Sequence, residues 1–247
     1  MEMKDKVVVK NLTKQFGDLL VLDDISFTVK SGEFLCIVGP TGCGKTTFLN
    51  SLTKIIDATK GEILIDGETV DPKKHNLAYI IQEYSTMPWL TVEQNIAYGL
   101  KIKGNTPELI KERVEEAIEM VNLQEFRNFY PSELSASMLQ RVVIARAFAT
   151  QPDLLLMDEP YGQLDLNLKY KLEDELLKLW EKTKTTVIFI THNIEEAVYL
   201  SDRVLVLTNK PTHVKTELIN SLPRPRQVSD KAFVEMRNQV TDLIKWW

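Results

Sequence analysis

Between positions 5 and 83 the chain alternates short apolar runs with polar breaks. "VVVKNLT" (7–13), "ISFTVK" (25–30), "FLCIVG" (34–39), "EILIDG" (62–67) and "LAYIIQ" (77–82) are rich in β-branched and aromatic residues and predict strands. One helix is predicted among them, from about Lys45. Beyond Thr91 the period changes. Up to about Thr150 apolar positions recur at helical spacing, with Ile110, Val114, Ala117, Ile118 and Val121 on one face and Thr106-Pro107 as N-cap and first helical residue. This stretch reads as a helical insertion. Strands return at "LLLMD" (154–158), "TVIFIT" (186–191) and "RVLVL" (203–207), separated by helical segments, which is the alternation of a parallel sheet. Leu168, Leu172, Leu176 and Leu179 form a core-facing stripe on the helix between the first two. Two prolines in "LPRPR" (222–226) interrupt regular structure, and a last helix is predicted from Asp230 to the end.

At 247 residues and 44% hydrophobic, the chain has core material for one large α/β domain or two small ones. A formal charge of −5, with both signs mixed along the chain, argues against nucleic acid as the main partner, because phosphate binding needs clustered, uncompensated Lys and Arg. No apolar run approaches the roughly 20 residues of a transmembrane helix, and "MEMKDKVVVK" lacks the apolar stretch of a signal peptide. The expectation is a cytoplasmic protein. Cys36 falls in an apolar strand and reads as core, while Cys43 reads as a small residue on a tight turn. Two such cysteines fit a reducing compartment better than a disulfide scaffold.

Candidate chemistry begins at "GPTGCGKTT" (39–47), which spells G-x-x-x-x-G-K-[ST] between a predicted strand and a predicted helix. Glycines let the backbone curl so that N–H groups point at phosphate oxygens, and the positive end of the helix adds to that field. Lys45 would neutralise the outer phosphates and Thr46 would bind Mg2+. Gly39, Pro40, Thr41, Gly42, Cys43, Gly44, Lys45, Thr46 and Thr47 are therefore the candidate nucleotide-binding residues. In "LLLMDEP" (154–160) Asp158 lies at the C-terminal end of a buried strand, where ligands of open α/β sheets sit, and is placed to hold Mg2+ with Thr46. Glu159 projects differently from its neighbour and can hydrogen-bond a water aligned on a γ-phosphate.

The order of the glycine loop, "IIQE" (80–83), "ELSASMLQRVVIARA" (133–147), "LLLMDEPYGQLD" (154–165) and "TH" (191–192) resembles the nucleotide-binding subunit of an ABC transporter, from Val7 to about Arg226. The resemblance implies an α/β P-loop ATPase with a mainly parallel sheet core, an antiparallel β portion and an inserted helical subdomain. Its expected boundaries are 1–226 for the ATPase domain, with core 1–90 and 151–226 and the helical insertion 91–150, followed by a helical tail over 227–247. It also implies roles: Phe16 stacking on adenine, Gln82 sensing Mg2+ and the attacking water, Glu159 as general base, and His192 contacting the γ-phosphate. Ser135 and Asp165 would belong to segments that meet the ATP of a second copy.

The chain departs from the family at Leu134-Ser135-Ala136-Ser137-Met138, where the usual pattern has two glycines after the serine. Each substitution adds a Cβ where backbone would meet phosphate, or where φ above zero would be used. A weaker or slower ATP sandwich is expected, with folding unaffected. "STMPWLTVEQNIAYGL" (85–100) opens the helical insertion, the region by which such subunits grip a membrane protein, and Pro88-Trp89-Leu90 is similar to importers of nitrate, sulfonate, taurine and bicarbonate. Burial of Trp89 within its own subdomain is the alternative. The implied partners are a transmembrane permease, a second nucleotide-binding subunit in a homodimer and, indirectly, a solute-binding protein, with the chain peripheral on the cytoplasmic face. A non-transport or weakly active ABC ATPase and a small-molecule kinase remain as other readings.

Overall fold

The computed structural model describes residues 4–162 and 164–244. Gln163 of the "YGQLD" stretch and the closing Trp246-Trp247 lie outside the described residues. In chain order the elements are β1 (Asp5–Phe16), β2 (Leu19–Lys30), β3 (Phe34–Val38), α1 (Lys45–Leu52), β4 (Lys60–Ile65), β5 (Glu68–Thr69) and β6 (Leu77–Ile80). There follow α2 (Val92–Ile102), α3 (Pro107–Met120), α4 (Ala136–Ala149), β7 (Leu154–Asp158) and α5 (Leu166–Thr183). The chain then forms β8 (Thr186–Thr191), α6 (Ile194–Leu200), β9 (Arg203–Leu207), β10 (Val214–Ile219) and α7 (Lys231–Ile244). Two compact units result, one from Met1–His75 with Lys184–Trp247 and the other from Asn76–Thr183.

The first unit holds an antiparallel sheet in the order β2-β1-β4-β5 and a second sheet whose strands run β10-β9-β3-β8. β3 is parallel to β8 on one side and β9 on the other, and every residue of β3 and β8 is buried. That two-sided burial explains why "FLCIV" and "TVIFIT" are continuously apolar instead of alternating. The first hairpin is longer than its apolar runs suggested. Lys14, Gln15 and Phe16 extend β1 by pairing with Leu22, Leu20 and Leu19 of β2. β10 was not anticipated either: "VKTELI" has no apolar run, because it lies at a sheet edge, antiparallel to β9, and alternates half-buried with exposed residues.

In the second unit β6 and β7 pair in parallel, from Leu77 with Leu154 to Ile80 with Met157. α2, α3 and α4 share a cluster that includes Ile96, Leu100, Val114, Ile118, Val142 and Ala145, with Thr106 capping α3 and Pro107 at its first position. On α5 Leu172, Leu176 and Leu179 are buried and Leu168 is half-buried.

Candidate nucleotide site

The glycine loop spans the six residues between β3 and α1. Gly42 and Gly44 have φ of 77° and 115°, values that favour glycine. At Gly44 space matters as well, since a Cβ there would stand 2.8 Å from Val21 Cγ1 and 3.1 Å from Leu22 Cδ2. Around Gly42 nothing lies within 4 Å, so this turn is glycine for its conformation and for open approach. Gly44 is the N-cap of α1 and no side chain caps the helix. Its N-terminal amides are therefore arranged as in an anion cradle. Lys45 is buried and its Nζ donates to the carbonyls of Gly39 and Pro40, each at 3.0 Å, which folds the ammonium back across the loop. Gly39 and Pro40 are buried, Thr47 is half-buried, and Thr41, Gly42 and Thr46 are exposed. Cys43 is buried and burial pushes its thiol up, as it does for Cys36 in β3. Both are free thiols, in line with the turn and core readings.

Sequence reasoning missed the brace behind this loop. The Thr212 hydroxyl donates to the Cys43 carbonyl. Its own backbone is tied to β2, with Thr212 N–H to Val21 O and Asp23 N–H to Thr212 O, both at 2.9 Å. No local pattern around Thr212 signals this, because its partners lie on the far side of the sequence.

Strand pairing brings the candidate residues of each unit together. In the first unit Val38 and Thr191 are partners in the β3–β8 register, so Gly39 and His192 leave adjacent strands side by side at the C-terminal edge. His192 is exposed. Phe16, at the end of β1, is 46% exposed and Lys14 Nζ lies 4.6 Å from its ring centroid, so the ring is a surface platform and not core. In the second unit Ile80 pairs with Met157, so Gln82 and the Asp158-Glu159 pair leave neighbouring strands together. Gln82 is exposed, Asp158 buried and Glu159 half-buried.

Two features of the acidic pair were not legible beforehand. Glu159 has φ of 46°, a left-handed conformation that costs a non-glycine residue about 1–2 kcal/mol. It stands one residue past the end of β7, where the extended conformation stops. The Glu159 carbonyl accepts Gly162 N–H at 3.1 Å. Tyr79 on β6 hydrogen-bonds the Asp158 carboxylate. Burial first, then that carboxylate's charge and hydrogen bond, push the Tyr79 hydroxyl far above its usual range, which keeps it a donor.

Ser135 is the N-cap of α4 and accepts Met138 N–H at 3.4 Å, while its hydroxyl lies 3.1 Å from that of Ser137. α4 is fastened along its length by a two-pronged Arg141–Glu175 pair at 3.1 and 2.7 Å and by Arg146, which donates to Ser85 O at 2.7 Å. Ala136 and Ser137 occupy the first turn of α4 and neither has positive φ. In this helical conformation the Cβ atoms of Ala136 and Ser137 are bulk that glycine would not carry. Asp165 caps α5, accepting Leu168 N–H at 3.0 Å. Trp89 is 72% exposed, which overturns the alternative that buries it.

Mg2+ commonly takes few protein ligands and leaves several positions to phosphate and water. Among the described residues no cluster of three or more His, Cys, Asp or Glu could hold a metal by itself. The Thr46 hydroxyl, exposed in the first unit, and the Asp158 carboxylate, buried in the second, are each an oxygen donor of the kind Mg2+ takes.

A sheet with parallel strands, a glycine loop opening onto an uncapped helix and an acidic strand end define a P-loop ATPase of the ABC type. The family described as ABC transporter matches residues 22–162, and the chain belongs to it. The aliphatic sulfonates import ATP-binding protein SsuB of Bacillus cereus is 42% identical over 233 residues, 94% of this chain and 92% of that protein. An ABC transporter ATP-binding protein of Methanocaldococcus jannaschii is 42% identical over 247 residues, covering 98% of this chain and 92% of the relative. Among solved structures, the dimeric bacterial ABC transporter cassette MJ0796 aligns with a TM-score of 0.77 at 31% identity, over 88% of this chain and all of that one. The same cassette bound to ADP and Pi in a post-hydrolysis state aligns with a TM-score of 0.76. The chain is an ABC-type ATPase. No described helix is long and apolar enough to cross a membrane.

Proposed function

We propose that the chain powers import of a small anion, with an organic sulfonate first among the candidates, by hydrolysing ATP beneath a separate membrane permease. The observation that carries the substrate class is the 42% identity, across nearly the whole chain, to proteins named for aliphatic sulfonate import. Exposed Trp89 at the start of the helical cluster supports a docking surface for the permease. In this reading 91–150 is the inserted subdomain of an ATPase domain spanning 1–226, and 227–247 is its tail. Two copies act as a dimer on the cytoplasmic face, and a solute-binding protein delivers the anion from outside.

Within the site, Phe16 stacks on adenine, the amides of 39–47 cradle the phosphates and Lys45 offsets their charge. Thr46 and Asp158 hold Mg2+, with Gln82 close to it. When bound, Mg2+ supplies charge neutralisation across the outer phosphates. Glu159 accepts the proton of the attacking water, and His192 holds the γ-phosphate. Ser135 and Asp165 serve the ATP of the second copy.

The test is affinity isolation of the chain from native membranes and identification of any permease that co-purifies, followed by ATPase assays of that complex in membranes with its solute-binding protein. Stimulation by an alkanesulfonate over nitrate, taurine and bicarbonate is expected. Stimulation by one of the other anions would reassign the solute, and absence of any permease complex would overturn the transport reading. The Ala136-Ser137 substitution favours a second reading, a slow ABC ATPase. Hydrolysis that stays low even in the intact transporter is its signature.

A further inference from the structure

We propose that Glu196 is a positioning residue for His192, acting through Thr191 and Asn193. The inference rests on the reading of His192 as a γ-phosphate contact. Only His192 and Asn193 separate the end of β8 from the start of α6. Thr191 and Glu196 are both buried, at 2% and 4% exposure. The Thr191 hydroxyl donates to Glu196 Oε2 and accepts the backbone N–H of Asn193 at 2.9 Å. Asn193 Oδ1 in turn accepts the backbone N–H of Glu196 at 3.1 Å. These three bonds close a ring around the histidine, clamping the backbone on both sides of it while its side chain faces solvent.

The ring departs from an ordinary capping box in an informative way. There, the acidic residue at the third helical position reaches back to the N-cap amide itself. Here Glu196 occupies that position, but the Thr191 hydroxyl stands between carboxylate and amide. The interposed hydroxyl links the last residue of β8 to the helix through a bond to a buried carboxylate, so the turn cannot pivot at either end without breaking a bond of the ring. Such bonds are strong, and the positive end of α6 favours the negative charge. The far end of α6 is anchored too. Arg226 donates to the carbonyls of Val198, Tyr199 and Ser201 at 2.8 Å each, and Asn220 to Val198 O at 2.7 Å. A helix pinned at its C-terminus and locked at its N-terminus leaves His192 one backbone setting.

The experiment compares Thr191→Val, Thr191→Ser, Glu196→Gln and His192→Ala, singly and with Thr191→Val added to His192→Ala, in the full chain. Thr191→Val and Glu196→Gln are expected to lower kcat by about tenfold, in the range seen when supporting hydrogen bonds are lost, with ATP affinity within about twofold of the parent. Thr191→Ser restores most of the rate, and Thr191→Val adds nothing once His192 is alanine. A second readout is independent of turnover. In the nucleotide-free chain, the imidazole NMR signals of His192, assigned by their loss in His192→Ala, shift in Thr191→Val and return in Thr191→Ser, while those of His75 and His213 stay in place. Unmoved His192 signals, or a full rate for Thr191→Val beside an inactive His192→Ala, would overturn the proposal. Undiminished turnover in His192→Ala would show instead that the reading of His192 had failed and would remove the inference with it.

Discussion

Two helix N-termini in this molecule have opposite fates. α1 begins at Gly44 with no side chain capping it, behind a loop whose glycines open the approach. α4 begins at Ser135, whose hydroxyl is already engaged by Met138 N–H and faces Ser137 Oγ at 3.1 Å. One terminus has no side-chain cap, and the other has an amide satisfied from within. A helix dipole alone therefore does not make a phosphate site, because what surrounds the first turn decides whether an anion gains anything by arriving.

Removing the cation at the open terminus is expected to have the largest effect. Lys45→Ala should abolish ATP binding, a loss of at least about a hundredfold in titration calorimetry, since the charge that balances the outer phosphates goes with it. Retained affinity would mean that the amides suffice. Next comes Glu159→Gln, which should bind ATP about as well as the parent while turnover falls by at least about a hundredfold. Glu159→Gly should be equally inactive yet more stable by about 1 kcal/mol in thermal melts, because glycine relieves the left-handed strain. A normal rate in the glutamine variant would remove Glu159 as the base.

Gly44→Ala sharpens the comparison from the steric side. It should destabilise the fold by about 3 kcal/mol and weaken ATP binding about tenfold, through strained φ and the clash with Val21. The smallest change is expected at α4. Ala136→Gly/Ser137→Gly should raise ATPase activity a few-fold and promote ATP-dependent dimers in size-exclusion runs, by removing the Ser137 hydroxyl from Ser135 and opening the space beside it. No rise would show that the side chains at 136 and 137 cost the enzyme nothing.

Much of this was legible in the chain. β3, β7 and β8 announced themselves as apolar runs because both of their faces are buried, and the glycine loop because glycine is the residue that tolerates its φ values. The hairpin ends, β10 and β5 stayed hidden, since edge and surface strands carry no apolar run. The Ala136-Ser137 departure was visible as spelling. Only the structure showed that both residues lie in the first turn of α4. Exposure of Phe16 and Trp89 could not be read from residue type, because an aromatic side chain has the same composition on either side of a surface.

What the sequence determined by itself was local: periodicity, turn chemistry, and the order of the loop, the acidic pair and the histidine. What the tertiary structure decided was partnership and strain. Thr212 braces Cys43 from 169 positions away, Tyr79 hydrogen-bonds Asp158 across a strand pair, and Glu196 reaches Thr191 across a turn. The left-handed φ of Glu159 belongs to the same class, since residue type alone does not announce it. Hydrogen bonds and strained dihedrals depend on which groups folding carries within about 3 Å of one another, and no window of neighbouring residues contains that information.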